Sequence, residues 1–524
     1  MSNPRIHLPS LIAINRPKTI MMAIWLCALG AYGVLLLKLG MVLTLVVVVF
    51  MGVLTFLMFK PELATLAVMF VLYANFAAIA HQFYGVPKPL AAAVALPLII
   101  PLLTYTIIRR QRLVVDRGFV LMLVFLACLI ASSFLAKDPM VALGWMGQFL
   151  VEGLLVYFLV TNVIRKLTTL KRVIWSVLLA GALMGALSLF WELTGTHIQT
   201  GTRIQYEGQA YGQNTSGFAQ QKGQFAVDES RGQKIVRTRS AGLIGEPNRY
   251  AQIMVVLLPL AIFRFWGERS RFLRLAAAGL TGLILVGILL SFSRMGFLTI
   301  VLLLLIMTFM RYLKPSQVFS IALVFAVLVL VAAPDYVVRM ESLGRIGGLF
   351  SKTTEAPDEA VLGRVAQNLA ALRVFLQNPV LGVGPGNFAK FYSTQFVNAL
   401  SLIHQNEDYR AHSLYLEIAA ETGLMGFTAF MAIVWVLMHQ LWQLRVRWSQ
   451  RYPDLANLAT AFLLALIAYL ATGVFLHLSY SRYFWLLMAL SGAAIRTIGL
   501  EAWQRAHSVK PLRPAPTPRH DAAA

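Results

Sequence analysis

Residues 275–311 read LAAAGLTGLILVGILLSFSRMGFLTIVLLLLIMTFMR, and Arg294 is their only charged residue before Arg311. Two apolar runs, 275–291 and 295–311, lie on either side of a short polar turn. Each run approaches the ~20 apolar residues that a helix needs to cross a lipid bilayer. This stretch therefore predicts two membrane-spanning helices joined by a turn that carries a cation.

Apolar runs of this kind recur along the whole chain. Of its 524 residues, 58% are hydrophobic and 13% are charged, whereas soluble proteins carry roughly 25% charged residues. A soluble fold could not bury so much apolar surface, so the solvent must be lipid. The sequence predicts an all-α, polytopic transmembrane helical bundle of about 12–14 spans with a large, partly helical periplasmic loop. The predicted spans are 19–37, 41–59, 63–83, 90–108, 118–136, 144–163, 173–193, 242–264, 275–291, 295–311, 318–333, 413–440, 457–477 and 481–499.

Lysine and arginine are distributed unevenly between alternate loops. With a cytoplasmic N-terminus, the six inner short loops hold 18 of these residues and the five outer short loops hold five. Because basic residues accumulate on the cytoplasmic side of a membrane, both termini are predicted to be cytoplasmic. The first apolar run is too long for a signal peptide, so we expect an uncleaved first helix. The pattern also explains the net charge of +23 without a nucleic-acid partner.

Two long polar segments interrupt the spans, and both fall on the outer side. The predicted organisation is as follows: 1–193, N-terminal transmembrane helices; 194–241, a flexible periplasmic loop; 242–333, central transmembrane helices; 334–411, a periplasmic loop with an amphipathic helix; 412–500, C-terminal transmembrane helices; 501–524, a disordered cytoplasmic tail.

The amphipathic helix is predicted between Pro357-Asp358 and Asn378-Pro379. Apolar residues recur there at a spacing of 3.6 residues, namely Val361, Val365, Leu369, Leu372 and Leu376. Arg364 falls on another face. We expect this helix to lie on the membrane surface, with Arg364 turned away from its apolar side.

Three residues at the predicted outer headgroup level could carry chemistry: Arg294, Arg364 and His412. Guanidinium groups donate paired hydrogen bonds to phosphate oxygens, and a neutral histidine can accept a proton from a hydroxyl group. Together they would suit a lipid-linked pyrophosphate and an attacking hydroxyl. Plainer roles are a snorkelling helix anchor for Arg294, a solvated helix face for Arg364 and a helix start for His412.

Other motifs favour structural roles. Cys27 and Cys128 lie in apolar runs and indicate packing, not a disulfide or a zinc site. The glycine-rich residues 382–387 follow no strand, so they predict a tight turn and not a nucleotide loop. Neither a metal nor a cofactor is expected. Glu407-Asp408 leaves a cation site open as an alternative.

The motifs within roughly residues 237–430 resemble the O-antigen ligase and O-antigen polymerase superfamily. They are Gly-Glu-Pro-Asn at 245–248, Ser-Arg-Met-Gly at 293–296, Gly-Arg at 363–364, Asn-Pro-Val-Leu-Gly-Val-Gly-Pro-Gly-Asn-Phe at 378–388, and His-Ser-Leu-Tyr-Leu-Glu at 412–417 followed by Glu-Thr-Gly-Leu-Met-Gly at 421–426. Their shared order and spacing make the joint signal stronger than any single motif.

The resemblance implies a metal-independent membrane C-type glycosyltransferase in a bacterial inner membrane. Its donor would be a polyprenyl-diphosphate-linked (undecaprenyl-diphosphate) glycan, and its acceptor lipid A–core or another glycan. By position, Arg294 and Arg364 match the arginines proposed to bind the pyrophosphate, and His412 matches the histidine proposed to activate the acceptor. Candidate substrate-binding residues are Arg237, Arg239, Asn248, Tyr415 and Glu417.

Several functions remain open on the sequence alone. The same superfamily holds ligases, polymerases and protein O-glycosyltransferases, which differ in their acceptors. A membrane anion transporter is a second hypothesis, but its polar groups should lie near the bilayer midplane. A non-catalytic assembly subunit is a third.

Overall fold

The computed structural model describes residues 60–84, 93–194, 224–228, 235–332, 359–392, 410–478 and 481–508. Several expectations lie outside these residues, namely the spans 19–37 and 41–59, Cys27, the helix start at Pro357-Asp358, the Glu407-Asp408 pair and most of the C-terminal tail. The described chain divides into two compact units, residues 60–65 with 96–113 and all its other residues. Every residue of the candidate site belongs to the second unit.

The described residues are predominantly helical. The α-helices are α1 Pro61–Tyr73, α2 Phe76–Tyr84, α3 Ile99–Leu103, α4 Arg117–Ser133, α5 Pro139–Gln148, α6 Val156–Val163, α7 Leu167–Leu193, α8 Pro247–Gly267, α9 Arg271–Leu290, α10 Arg294–Phe309, α11 Pro315–Ala332, α12 Glu359–Gln377, α13 Phe388–Phe391, α14 Leu414–Trp448, α15 Pro453–Gly473 and α16 Ser481–Ser508. A 3₁₀ segment, Ala93–Leu98, precedes α3, and π-helical segments follow α3 and α5 at Thr104–Ile108 and Phe149–Leu155.

Seven helices in the described ranges are long and apolar enough to cross a membrane. They are Pro139–Val163, Leu167–Leu193, Pro247–Gly267, Arg271–Leu290, Leu414–Trp448, Pro453–Gly473 and Ser481–His507. Five shorter apolar helices coincide with the other predicted spans in these ranges. The predicted fold class, an all-α polytopic membrane protein, is therefore confirmed.

Some predicted boundaries are wrong, and local chemistry explains why. The span predicted at 63–83 breaks at Asn75, which has a φ of 65° and donates from Nδ2 to the carbonyl oxygen of Leu243 at 2.5 Å. The span predicted at 144–163 begins at Pro139, because the Asp138 carboxylate caps the first backbone N–H groups of the helix. The span predicted at 457–477 ends at Gly473, which leaves His477 in a connecting loop.

Residues 194–241, predicted to be a flexible loop, contain a two-stranded antiparallel hairpin. Its strands are β1 Gln224–Asp228 and β2 Ile235–Thr238, and Phe225 pairs with Arg237. Immediately after β2 the chain becomes buried, and the backbone N–H of Ser240 donates to the carbonyl oxygen of Leu290 at 2.9 Å. The end of this segment is therefore held against the turn between α9 and α10.

The glycine-rich segment 382–387 forms the predicted tight turn and closes on α14. The backbone N–H groups of Val383 and Gly384 donate to the carbonyl oxygens of Ala420 and Glu421 at 3.1 and 2.9 Å. Gly382 has a φ of 70°, and a Cβ there would lie 2.4 Å from the Glu421 oxygen. Only glycine fits such a contact at a positive φ, so the turn holds the segment directly after α12 against α14.

Helix α12 has the two faces that the sequence predicts. Val365, Leu369, Leu372 and Leu376 are exposed. The opposite face is buried within the protein and includes Gln367, Ala370, Ala371 and Val374. Its position on a membrane surface remains a prediction. Cys128 is buried in α4, as expected for a packing residue.

Candidate active site

The turn that leads into α10 is held to the start of α8 by a cluster of polar side chains. Ser293 is the N-cap of α10, and its hydroxyl donates to the Oδ1 atom of Asn248 at 3.2 Å. Arg239 donates from Nη2 to the same oxygen at 2.8 Å and from Nε to the carbonyl oxygen of Ser291 at 2.8 Å. Arg294, the first residue of α10, is buried beside this cluster.

The start of α8 adds a further arginine, Arg249, which sequence reasoning did not select. The carboxylate of Glu246 caps this helix by accepting hydrogen bonds from the backbone N–H groups of Asn248 and Arg249 at 3.0 and 2.7 Å. The Arg249 side chain is buried and donates from Nη1 to the Oε1 atom of Gln252 at 3.3 Å. Arg249 follows Asn248 directly, so it lies next to the polar cluster that joins α8 to the turn before α10.

His412 occupies the approach to α14, one residue before the N-cap Ser413. Its ring meets that of His477 edge-on, with 5.7 Å between the ring centroids. The Nδ1 atom of His412 is buried, and no described group forms a hydrogen bond with it. This nitrogen therefore retains its capacity to form a hydrogen bond with a bound substrate.

Burial and positive charge both disfavour the protonated form of His412. Burial is the larger cause, followed by the charges of Arg364, Arg249 and Arg410, and together they lower the pKa of His412 to about 4. At neutral pH the imidazole is therefore uncharged and able to accept a proton. The same effect shows that the predicted residues Arg364 and His412 share one electrostatic environment.

Glu417 organises the groups next to His412. Its Oε1 atom accepts from the Nε of Arg410 at 2.7 Å and also lies 2.6 Å from the Nη2 of Arg410. Its Oε2 atom accepts from the backbone N–H of Leu478 at 2.9 Å. The Glu417 carboxylate thus fixes both Arg410, two residues before His412, and the loop that contains His477. The Arg410 guanidinium also lies over the Trp145 ring, 4.4 Å from its centroid.

A small cavity of about 50 Å³ lies beside Glu417. Glu417 and Glu421 line it together with Gln148, Ser481 and mainly apolar side chains. In the described ranges, no three His, Cys, Asp or Glu side chains are grouped so as to hold a metal ion.

The sequence-predicted site residues differ in what they contact. Tyr415 donates from its hydroxyl to the carbonyl oxygen of Leu470 at 2.9 Å, so this group is engaged within the protein. The polar atoms of Asn248 and Glu417 are also occupied by protein partners. For Arg237, the structure describes only its backbone, which pairs in the hairpin.

Three further residues of this environment escaped sequence reasoning: Arg249, Arg410 and His477. Arg249 directly follows the Gly-Glu-Pro-Asn motif, and Arg410 lies two residues before the motif that begins at His412. Their positive charge next to these motifs could have indicated that they belong to the site. His477 was assigned to the predicted span 457–477, and only the end of α15 at Gly473 reveals its position.

The segment that contains these groups also matches a known family. Residues 279–431 match the family model of O-antigen ligase. The match extends from within α9 into α14 and contains Arg294, Arg364, His412, Tyr415 and Glu417. No curated protein matches the chain.

The family match confirms the predicted resemblance to the O-antigen ligase and polymerase superfamily. With the apolar helices, the match supports a membrane protein that takes part in surface-polysaccharide assembly. It supports in general a glycosyltransferase-like enzyme with glycan and lipid-linked substrates. Five residues discussed above lie outside the matched segment. Those before it are Arg237, Arg239, Asn248 and Arg249, and His477 lies after it.

Proposed function

We propose that this protein transfers a glycan from a polyprenyl-diphosphate carrier to an acceptor hydroxyl on the periplasmic face of a bacterial inner membrane. The environment of His412 is the observation that carries the proposal. Its imidazole is uncharged at neutral pH, its Nδ1 atom has no partner among the described groups, and arginine charges surround it. A neutral base beside cations suits a reaction between a hydroxyl and an anionic substrate.

In this reaction, the acceptor oxygen attacks the anomeric carbon of the donor glycan. The new glycosidic bond forms while the bond from that carbon to the carrier diphosphate breaks. His412 accepts the hydroxyl proton, and the diphosphate leaves with the bonding electron pair. Arg364 and Arg294 are proposed to bind the diphosphate, where each charge-assisted hydrogen bond is worth roughly 1.5–3 kcal/mol.

Donor binding would make His412 a stronger base. After burial, the positive charge of Arg364 contributes to the lowered pKa of His412. A diphosphate at Arg364 would offset that charge and raise the pKa of His412 again. The base would therefore act most effectively once the donor is in place.

The exposed apolar face of α12 supports a site at the membrane surface. Val365, Leu369, Leu372 and Leu376 could enter the headgroup region while Arg364 faces the protein. That arrangement would place Arg364 at the depth of the carrier's diphosphate.

The test is a transfer assay with the purified full-length protein, a polyprenyl-diphosphate glycan, and lipid A–core or another glycan acceptor. We expect transfer to persist with a chelator, to disappear in His412→Ala, and to fall at least about tenfold in Arg364→Ala and Arg294→Ala. His439→Ala is the matched control, because His439 is exposed on α14 and bonded to Gln443. Full activity in His412→Ala would contradict the mechanism, and a requirement for a divalent ion would contradict metal independence.

A deletion strain distinguishes a ligase from a polysaccharide polymerase of the same superfamily. Loss of a ligase would leave long glycan chains on the carrier lipid. Loss of a polymerase would leave single repeat units instead. Analysis of the carrier-linked glycans therefore identifies the acceptor class.

A further inference from the structure

Arg249 is a buried cation whose hydrogen-bonding capacity is only partly used. Its side chain is 3% exposed. The Nη1 atom donates to Gln252, whereas no described group accepts a hydrogen bond from the buried Nη2 atom. A buried guanidinium in this condition is costly, so the arrangement points to a ligand that completes it.

The carboxylates whose charges act on Arg249 are already engaged elsewhere. Glu246 accepts hydrogen bonds from the first backbone N–H groups of α8. Glu417 accepts from Arg410 and from the backbone of Leu478. Neither forms a salt bridge with Arg249 within the described chain. An anion from outside the protein is therefore the natural partner for Nη2.

Hydrogen bonds between helix ends bring Arg249 to the candidate site. Gln252, which accepts from Arg249, donates from Nε2 to the Oγ1 atom of Thr472 at 2.7 Å. Tyr415 donates to the carbonyl oxygen of Leu470. These bonds join the start of α8 and the start of α14 to the end of α15.

The electrostatic effects agree with this convergence. The charge of Arg249 lowers the pKa of both His412 and His477, after the larger effect of burial. Arg410 acts on both histidines as well, but its charge is compensated by Glu417. The positive charge of Arg249 therefore acts on the proposed base, His412.

We propose that Arg249 binds a phosphate oxygen of the lipid-linked donor, as a third arginine in addition to Arg364 and Arg294. This assignment rests on the proposed function for the identity of the donor. Because the guanidinium is planar and always charged, Nη2 can donate to an oxyanion without a change in protonation. A carrier diphosphate presents several such oxygens, and two negative charges suit a site with more than one arginine.

Calorimetric titration of the full-length protein in detergent with inorganic pyrophosphate tests the anion site directly. We expect Arg249→Gln to weaken pyrophosphate binding about tenfold or more. Arg249→Lys should retain an intermediate affinity, because the ammonium group keeps the charge but not the planar fork. The lysine variant also keeps the test valid if the glutamine variant does not fold.

A matched variant excludes indirect effects. Arg496→Gln removes a partly buried arginine that bonds the carbonyl oxygen of Ile164. It should bind pyrophosphate with an affinity close to that of the wild type. The inference is overturned if the wild type does not bind pyrophosphate, if Arg249→Gln binds it normally, or if Arg496→Gln loses binding equally.

The transfer assay separates this inference from the proposed function. Normal transfer with an unchanged donor KM in Arg249→Gln would overturn the role of Arg249 and leave the proposed function standing. Arg249-dependent pyrophosphate binding without any transfer by the wild type would support the anion site and contradict the proposed function.

Discussion

The imidazole rings of His412 and His477 meet edge-on, with 5.7 Å between their centroids. His412 lies before α14, and His477 lies in the loop after α15. Glu417 holds that loop through the backbone of Leu478. The orientation of the proposed base therefore depends on a contact between distant parts of the chain.

We expect His477→Ala to reduce transfer and His477→Phe to preserve most of it. Edge-to-face ring pairs are worth about 0.5–1.5 kcal/mol, so loss of the ring should lower kcat roughly two- to tenfold. Phenylalanine retains an aromatic edge against His412. Initial rates at saturating donor and acceptor provide the measurement. Equal losses in both variants would show that His477 acts through its nitrogens and not through ring packing.

The lowered pKa of His412 predicts that stability decreases on mild acidification. An unfolded histidine binds a proton as the pH falls below about 6.5, whereas folded His412 does so only near its pKa of about 4. Between these values the unfolded state binds more protons, so the free energy of unfolding decreases as the pH is lowered. Melting temperatures from pH 7 to pH 4.5 should decrease more in the wild type than in His412→Asn. Parallel decreases would contradict the burial of a neutral imidazole.

Arg364 and His412 illustrate what the sequence could predict. A shared membrane depth for the two residues is a prediction from the pattern of apolar runs and basic loops, whereas the faces of α12 follow from the 3.6-residue spacing. The structure places both residues in one electrostatic environment. Helix periodicity and the predicted topology were therefore sufficient to group these two residues.

Arg249 and His477 illustrate what it could not predict. Their proximity to His412 depends on where α8 starts and where α15 ends, and both boundaries differ from the predicted spans. Apolar runs locate the middle of a spanning helix well. Its ends are set by caps such as Glu246 and by tertiary contacts, which leave a weaker trace in the sequence.

The pair formed by Arg410 and Glu417 should be important for stability as well as for activity. Because Glu417 is 2% exposed, Glu417→Gln would leave Arg410 without its counter-charge and cost roughly 3 kcal/mol. Arg410→Gln in the same chain should recover part of that loss, which a double-mutant cycle of unfolding free energies would measure. Lys390→Met is the control, since its ion pair with Asp138 is partly exposed and should contribute much less to stability. Similar costs for Glu417→Gln and Lys390→Met would contradict the prediction.

Helix α14 is kinked at Gly423, where it meets the glycine-rich turn. This contact should tolerate no side chain. Gly382 and Gly423 have φ values of 70° and 62°, and a Cβ on either would lie within 2.4 Å of backbone atoms. We expect Gly382→Ala and Gly423→Ala each to cost roughly 2 kcal/mol or more. They should also reduce transfer, because Val383 of the turn packs in one buried cluster with Ala411, the residue before His412. Gly282→Ala is the matched control, since that position in α9 has open space around it and alanine should be neutral or stabilising by about 0.5–1 kcal/mol. Thermal unfolding of the three variants provides the measurement, and a normal melting temperature in Gly382→Ala would show that the turn can move away from α14.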